Sequence, residues 1–435
     1  LPLYTRHSSY LPDKIKLTQL LTFPAIRFAL ISFFTFICIA SSWAQPQITL
    51  PLSKPGICNY ITPVMASNAT VAAVSDVHGL LAIGHGVAFS EAHVSLFKLD
   101  AKGIPAPIAT QILLPKPMEL TKHKNYVLGL AFHPKLPLLY VWQDINVPYT
   151  NPVPPVPLGT LQFDHLCILN LAKDPPQLIT SICRGVEFIH NQGGGGLAID
   201  ALGSHLYVPN LREITNAGSW RFGRYPLDAE GLPVVVESKE PLGIRIKKLE
   251  DLNAANKVSP PQLTPIAYID LFRQNFYGSA HMIVPVGKDA VISSGNMGLM
   301  AWRPDDKIMP LQGVPMKQAG QVLFAVHPSH PAIFVTSCNG TSESFSRAEQ
   351  VEGFLTLLPK QYILPMGKLT GPPIILPKQK KIVLGGAYHL LVMDLDEKAY
   401  PTGDPTHVYV NTPAAKALVY SEKFDRAYVG TEISK

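Results

Sequence analysis

Charged residues are scarce in this 435-residue chain, at 16% against roughly 25% in an average soluble protein. That scarcity excludes a coiled coil, a collagen and a charge-rich disordered chain. No basic run interleaved with aromatics occurs and the formal net charge is only +6, so nucleic acid is not expected as a partner. Local catalytic motifs are missing too. There is no G-x-S-x-G elbow, no H-E-x-x-H and no Walker A loop, which leaves those hydrolase, metalloprotease and nucleotidase readings without support. Asp394-Leu-Asp396 lacks the central Gly and terminal Glu of an EF-hand. None of these absences excludes an enzyme whose site is assembled from segments distant in sequence.

What the chain does have is apolar bulk and proline. Hydrophobic residues make up 47% of it and proline numbers 41, so a sizeable core is available but a mainly helical one is not, because proline lacks an N–H and clashes inside helices. The length admits one large all-β unit or two to three ordinary domains. Residues 28–40 form an apolar run of 13 preceded by Arg27, and Ser42-Trp43-Ala44 supplies small residues at the −3 and −1 positions of a cleavage site. The pattern is that of a secretory signal with Gln45 as the mature N-terminus. The run is shorter than the about 20 residues a spanning helix needs, so no stable membrane span is expected after cleavage. Residues 1–25, which begin with Leu, read as an over-extended start. A secreted or periplasmic location follows.

Cys58, Cys167, Cys183 and Cys338 remain after cleavage, without C-x-x-C spacing. Three disulfide pairings or a set of small apolar core residues are all compatible with that number. Asn68-Ala69-Thr70 and Asn339-Gly340-Thr341 match the glycosylation sequon, which has meaning only in a eukaryotic host.

An internal repeat organises the rest. An apolar run, a short polar turn and a second apolar run ending near Gly, Asn or Asp recur seven times, beginning at Val71, Val127, Gly196, His281, Gln321, Pro373 and Lys416. Several copies add a third strand with its own turn: Phe97-Lys-Leu-Asp-Ala-Lys-Gly-Ile-Pro105 matches Tyr225-Pro-Leu-Asp-Ala-Glu-Gly-Leu-Pro233, with weaker echoes after Leu299 and Leu390. Asp followed by Gly at a strand end is turn chemistry rather than a metal loop. Short strands punctuated by turns predict a sandwich or barrel-like β architecture, and repetition of a four-strand unit selects a propeller.

The segments Gly196-Leu-Ala-Ile-Asp-Ala-Leu-Gly-Ser-His-Leu-Tyr-Val-Pro-Asn210 and Gly129-Leu-Ala-Phe-His-Pro-Lys-Leu-Pro-Leu-Leu-Tyr-Val141 resemble YVTN-type repeats. Those are related to WD-repeat and lactonase-type seven-bladed propellers, and the likeness runs from about Thr70 to Thr431. No Trp-Asp dipeptide ends the strands, which sets the chain apart from true WD repeats. The expectation is an all-β, seven-bladed propeller of mostly four antiparallel strands. Residues 1–44 precede it, residues 45–69 offer a closing strand through Ile48–Leu52, and residues 70–435 form the propeller. Stretches 143–190 and 234–279 read as long insertions, with a Pro-rich surface loop at 147–157 and a short helix at 247–257. The chain ends soon after the second strand of the seventh copy, so an incomplete C-terminus and an eighth blade stay open.

Strand alternation gathers the start of each first strand and the end of each second strand on one side of the disc. That side carries His85, Asp144, Asn191, Asn210, Asn296, Asn339, Tyr388 and His389 as a candidate ligand-binding face, and His190, Arg212 and His281 as candidate catalytic groups. The expected function is a secreted binding or scaffold propeller that holds a protein or glycan partner as a monomer. What the resemblance implies as the alternative is a lactonase-like hydrolase acting on a sugar lactone, which needs an activated water and donors for the developing oxyanion. No cofactor is expected; a divalent metal has no motif behind it, and His327 and His330 read as turn residues.

Overall fold

The computed structural model describes residues 47–49, 54–55, 58–88, 92–114, 124–149, 159–189, 197–212, 220–234, 267–270, 280–287, 289–294, 298–302, 321–338, 343–351, 354–363 and 369–431. Residues 1–47 form one unit, and residues 48–435 form a second that contains the sheets. The described residues contain strands and turns and no helix, hence no helix long and apolar enough to cross a membrane.

Three short strands come first: β1 (Gln47–Thr49), β2 (Lys54–Pro55) and β3 (Ile61–Met65). Antiparallel meanders follow. The first is β4 (Ala69–Ser75), β5 (Leu80–Ala88), β6 (His93–Lys98) and β7 (Thr110–Leu113). The second is β8 (Lys124–Phe132), β9 (Leu138–Tyr149), β10 (Gly159–Asn170) and β11 (Gln177–Ile189). The third is β12 (Ala198–Ile199), β13 (His205–Arg212), β14 (Trp220–Pro226) and β15 (Ala267–Asp270). The fourth shows three strands, β16 (Ala280–Val286), β17 (Asp289–Ser294) and β18 (Gly298–Trp302). The fifth is β19 (Gln321–Val326), β20 (Ala332–Cys338), β21 (Glu343–Val351) and β22 (Phe354–Ile363). The sixth is β23 (Ile374–Leu376), β24 (Lys381–Gly385), β25 (His389–Leu395) and β26 (Pro401–Tyr409). The last pair is β27 (Leu418–Ser421) and β28 (Arg426–Thr431).

Every copy of the repeat supplies the first two strands of one meander. Their runs are almost continuously apolar because both faces of each inner strand are covered by neighbouring sheets. Alternation along the strand then divides the side chains between two cores. Ala82 packs towards the second meander with Val127, Val141 and Cys167, whereas Leu81 and Ile83 pack towards the last pair with Ala417 and Tyr428. Tyr140 and Trp142 join the third meander at Leu206 and Tyr225, while Leu139 and Val141 face back to the first. The fourth and fifth meanders share Val291, Phe324 and Val335, the fifth and sixth share Phe334, Phe345 and Leu384, and the sixth and last share Leu376, Val383 and Val429.

The first strands accordingly follow one another around a closed circuit. β4 packs on β8, β8 on β12, β12 on β16, β16 on β19, β19 on β23, β23 on β27, and β27 returns to β4. The molecule is an all-β propeller. Its ends meet through β3, which lies parallel to β28 in register Ala427↔Ile61 to Thr431↔Met65.

The segment 45–69 serves three sheets rather than one. Ile48, expected at the edge of the last sheet, lies in β1 beside β22, and β2 runs parallel to β26. The third strand beside β28, which the sequence reading left missing, comes from Ile61–Met65. Most of 143–190 is strand rather than inserted loop: β9 and β10 pair without a break from Gly159↔Tyr149 to Asn170↔Leu138. This pairing satisfies the backbone of a stretch too long for a short meander. Within 234–279 the described part is Val234 and β15, and the helix expected at 247–257 lies outside the described residues, as does 150–157 of the Pro-rich stretch.

Candidate functional site

Each meander has two ends. Intra-repeat hairpins occupy one; the starts of first and third strands and the ends of second and fourth strands occupy the other, here called the mouth. At the mouth, register shifts fall between Ala69 and Val71, Val127 and Gly129, Val208 and Leu211, and Ala280 and Met282; others lie further along β10 and β11, β21 and β22, and β25 and β26. Such bulges re-aim side chains at sheet ends, and they hold two of the sequence candidates, Asn210 and His281. Thr70, in the first of them, ties neighbouring meanders by placing its hydroxyl against the Gly84 and Val127 carbonyls.

His85 lies in the mouth half of β5 and is buried, 3% exposed. Its Nδ1 lies 2.7 Å from the Ser67 carbonyl oxygen, in the turn from β3 to β4. Nε2 lies 2.7 Å from Ser95 Oγ on β6, and Ser95 Oγ is 3.0 Å from Gln111 Oε1 on β7. The His93 ring stacks on it at 4.1 Å and 10°. Burial pushes the His85 pKa down to about 4, the Ser67 hydrogen bond opposing and His93 adding to the shift. This histidine fastens the closing turn to the first meander and is neutral at physiological pH.

At the mouth end of the sixth meander, Gly386 N donates to the His389 carbonyl, Tyr388 N to Thr412 O and Val410 N to Tyr388 O. The turn is thereby clamped, with Tyr388 at φ 61°, a left-handed conformation uncommon for a bulky residue. Tyr388 is half exposed, and Tyr409, opposite His389 across β25 and β26, is 70% exposed. His389 itself is buried, its Nδ1 2.6 Å from the Ala387 carbonyl and its ring edge-on to His407.

The remaining candidates divide by what the structure describes. Asp144 lies on β9 opposite Tyr126 and Asp164. Asn210 and Arg212 lie on β13 and His281 on β16, strands that pack on one another. His190, Asn191, Asn296 and Asn339 lie outside the described residues. Among the described residues no cluster of three or more metal-binding side chains occurs. Cys58 Sγ accepts a hydrogen bond from the Tyr60 hydroxyl at 3.2 Å, and Cys167 is buried in the core between the first and second meanders.

A serine, histidine and aspartate do meet, at the hairpin end. Ser204 Oγ lies 2.5 Å from Asp200 Oδ2 and 2.8 Å from His205 Nδ1, and the same Nδ1 is 3.1 Å from Asp200. His205 Nε2 faces Arg224 at 3.0 Å. A nucleophile and its acid must bind opposite ring nitrogens; here both share one, so the cluster is a structural pin. Burial raises the Asp200 pKa, but hydrogen bonds from Ser204 and His205 outweigh it and hold the carboxyl below its usual range. His327 is a hairpin residue as expected, and so is His133. The Nδ1 of each accepts two backbone N–H groups, from Lys135 and Leu136 and from Ser329 and His330.

Sequence reasoning missed Ser67, Ser95, Gln111 and Tyr409. Ser95 and Gln111 stand on third and fourth strands, where the repeat is weakest; the alternation His93-Val-Ser95 was the available signal, since it puts both polar groups on one face.

No family model matches the chain, and no curated protein matches it. Among the solved structures to which the chain is similar in fold are the following two. A "putative 6-phosphogluconolactonase" from Bacteroides uniformis aligns over 80% of this chain and 87% of its own, with 11% identity and a TM-score of 0.48. The Dos1 propeller aligns over 83% of this chain and 89% of its own, with 12% identity and a TM-score of 0.46.

Proposed function

We propose that this chain is a secreted, seven-bladed propeller of the YVTN kind that binds a glycan or protein partner at its mouth. The circuit of seven first strands supports the blade number, and the signal-like segment before Gln45 supports secretion. The observation that carries the binding reading is the division of labour at the mouth. His85 and His389 are buried and hydrogen-bonded within the fold, while Tyr388, on a clamped turn, and Tyr409, at the end of β26, are presented to solvent. Aromatic rings with a polar tip suit stacking against sugars and insertion into protein interfaces. A backbone outlier held by its surroundings is the kind of strain found at ligand clamps. The lactone-hydrolase reading rests instead on Arg212 and His281, on strands that pack together.

The test is a thermal melt of the full chain with soluble oligosaccharides, sugar lactones, Ca²⁺ and Zn²⁺. A binder of the native state raises the transition. The proposal predicts that an oligosaccharide raises it and that the Tyr388→Ala, Tyr409→Ala double variant loses this rise while melting as before. For a protein partner no panel member shifts the melt. Lactone turnover that survives the tyrosine changes and vanishes in Arg212→Ala, His281→Ala would overturn the binding reading in favour of the hydrolase.

A further inference from the structure

The chain of polar groups at His85 contains a contradiction in its proton count. The Ser67 carbonyl only accepts, so His85 Nδ1 carries a hydrogen and donates to it. Gln111 Oε1 only accepts, so the Ser95 hydroxyl donates to it. Ser95 then has no hydrogen left for His85 Nε2, and the 2.7 Å contact between them requires Nε2 to carry a hydrogen as well. With Oε1 turned inward, the chain closes only on an imidazolium. Burial of His85 and the stacked His93 ring oppose that charge.

There are two ways to satisfy every group. In one, His85 is neutral, Ser95 donates to its Nε2, and Gln111 turns its amide nitrogen inward to donate to Ser95. In the other, His85 is protonated, Nε2 donates to Ser95, and Ser95 donates to an inward Gln111 oxygen. The states differ by one proton and a half-turn of the Gln111 amide. Gln111 is exposed, so the first state shows solvent an acceptor and the second shows it a donor pair. We propose that His85, Ser95 and Gln111 form a proton-coupled relay that converts the protonation of a buried imidazole into a reversal of hydrogen-bond polarity at the surface.

Few other groups compete for control. β6 brings His93 at the mouth and Lys98 at its far end, and β8 brings Lys124 and Tyr126, the latter opposite Gly86. The sequences of β3, β4 and β7, ITPVM, ATVAAVS and TQIL, contain no acidic or basic residue. With neutral His85 the state at physiological pH is the first, and acidification below about pH 4 populates the second.

The experiment is a side-chain nitrogen NMR titration of the full chain from about pH 8 to about pH 3.5, spanning the imidazole range. At neutral pH the His85 ring is expected as the Nδ1–H tautomer. Gln111→Glu, which offers only acceptors, should raise the proton affinity of His85 by about tenfold or more. Ser95→Ala should reduce that increase to less than about threefold, because a carboxylate acting through space alone is screened. An Nε2–H tautomer at neutral pH would overturn the relay, and this reading needs no variant. So would a Gln111→Glu effect that Ser95→Ala leaves undiminished.

Discussion

Single residues explain how neighbouring blades are held in step. Three turns of the same design recur, at Asp100, Asp228 and Asp396. In each, one carboxylate oxygen accepts the N–H groups two and four residues on. Asp100 and Asp228 carry the Gly of the sequence pattern three residues on, at Gly103 and Gly231, and Ala399 takes that place in the third turn with φ 58°. A second-strand tyrosine of the preceding blade then donates to the turn's carbonyl: Tyr428 to Gly103 at 2.7 Å, and Tyr140 to Gly231. Phe334 occupies the matching place in the fifth meander and has no hydroxyl; Arg347 donates to the Ala399 and Lys398 carbonyls instead. Burial holds the Tyr428 hydroxyl protonated, with its pKa at about 12. Tyr428→Phe and Tyr140→Phe should each cost about 1–2 kcal/mol, the desolvation cost of a carbonyl left unmet, measured by urea unfolding.

The histidines give the fold a pH dependence. The folded-state pKa values of His85 and His327 are both lowered to about 4, mainly by burial, against about 6.5 when unfolded. A lowered histidine pKa means the unfolded chain takes up protons first. Stability is therefore complete above about pH 6.5 and declines as pH falls towards 4. For His85 the full loss is on the order of 3 kcal/mol. His85→Gln should flatten the decline between those limits, as read by unfolding midpoints across pH.

At the scale of the element, the sequence exposed the inner strands and hid the outer ones. First and second strands are buried on both faces, so their runs of Val, Leu, Ile and Ala stand out without alignment. Third and fourth strands are less uniformly apolar, and their connections vary in length. Long β9, β10 and β11 looked like an insertion for that reason: the signal of a strand weakens where one face is no longer buried. The Gly in the fifth position of several second strands has a cause visible only in three dimensions. A Cβ on Gly84 would lie 2.4 Å from Val127 Cγ1, one on Gly385 2.5 Å from the Ala415 oxygen, and one on Gly430 2.7 Å from Ala69 Cβ. In each case the first strand of the next blade, or its approach, crosses at that point. Gly84→Ala should destabilise by roughly 1–3 kcal/mol, the usual cost of overpacking, and should lower the melting temperature while Gly403→Ser, in open surroundings, disturbs only the left-handed residue of a bulge in β26.

The site was less legible than the fold. His85, Tyr388 and His389 were named from their place at strand ends, but that reasoning could not separate a buried pin from an exposed contact. Burial and hydrogen bonding make the distinction, and both depend on which strands the fold sets side by side. Ser67, from the turn before β4, and Ser95, on β6, meet His85 directly, and Gln111, on β7, is reached only through Ser95.

At the scale of the whole molecule, the two ends of the propeller depend on each other. β27 and β28 come from the C-terminal end of the chain and β3 from the N-terminal segment, and the core between last and first blades contains Val64 and Ala66 beside Leu81, Ile83 and Tyr428. Ser421 and Lys423 also reach Asp76 in the first hairpin. Closure in this form removes the free edges that an open stack of blades would expose. The direct test is hydrogen exchange on the full chain, followed at Ile61–Met65 and Arg426–Thr431. A ring closed by both ends predicts that the two strands are protected together, with rates close to those of the inner strands of other blades. Rapid exchange at Ile61–Met65 while Arg426–Thr431 stays protected would contradict it.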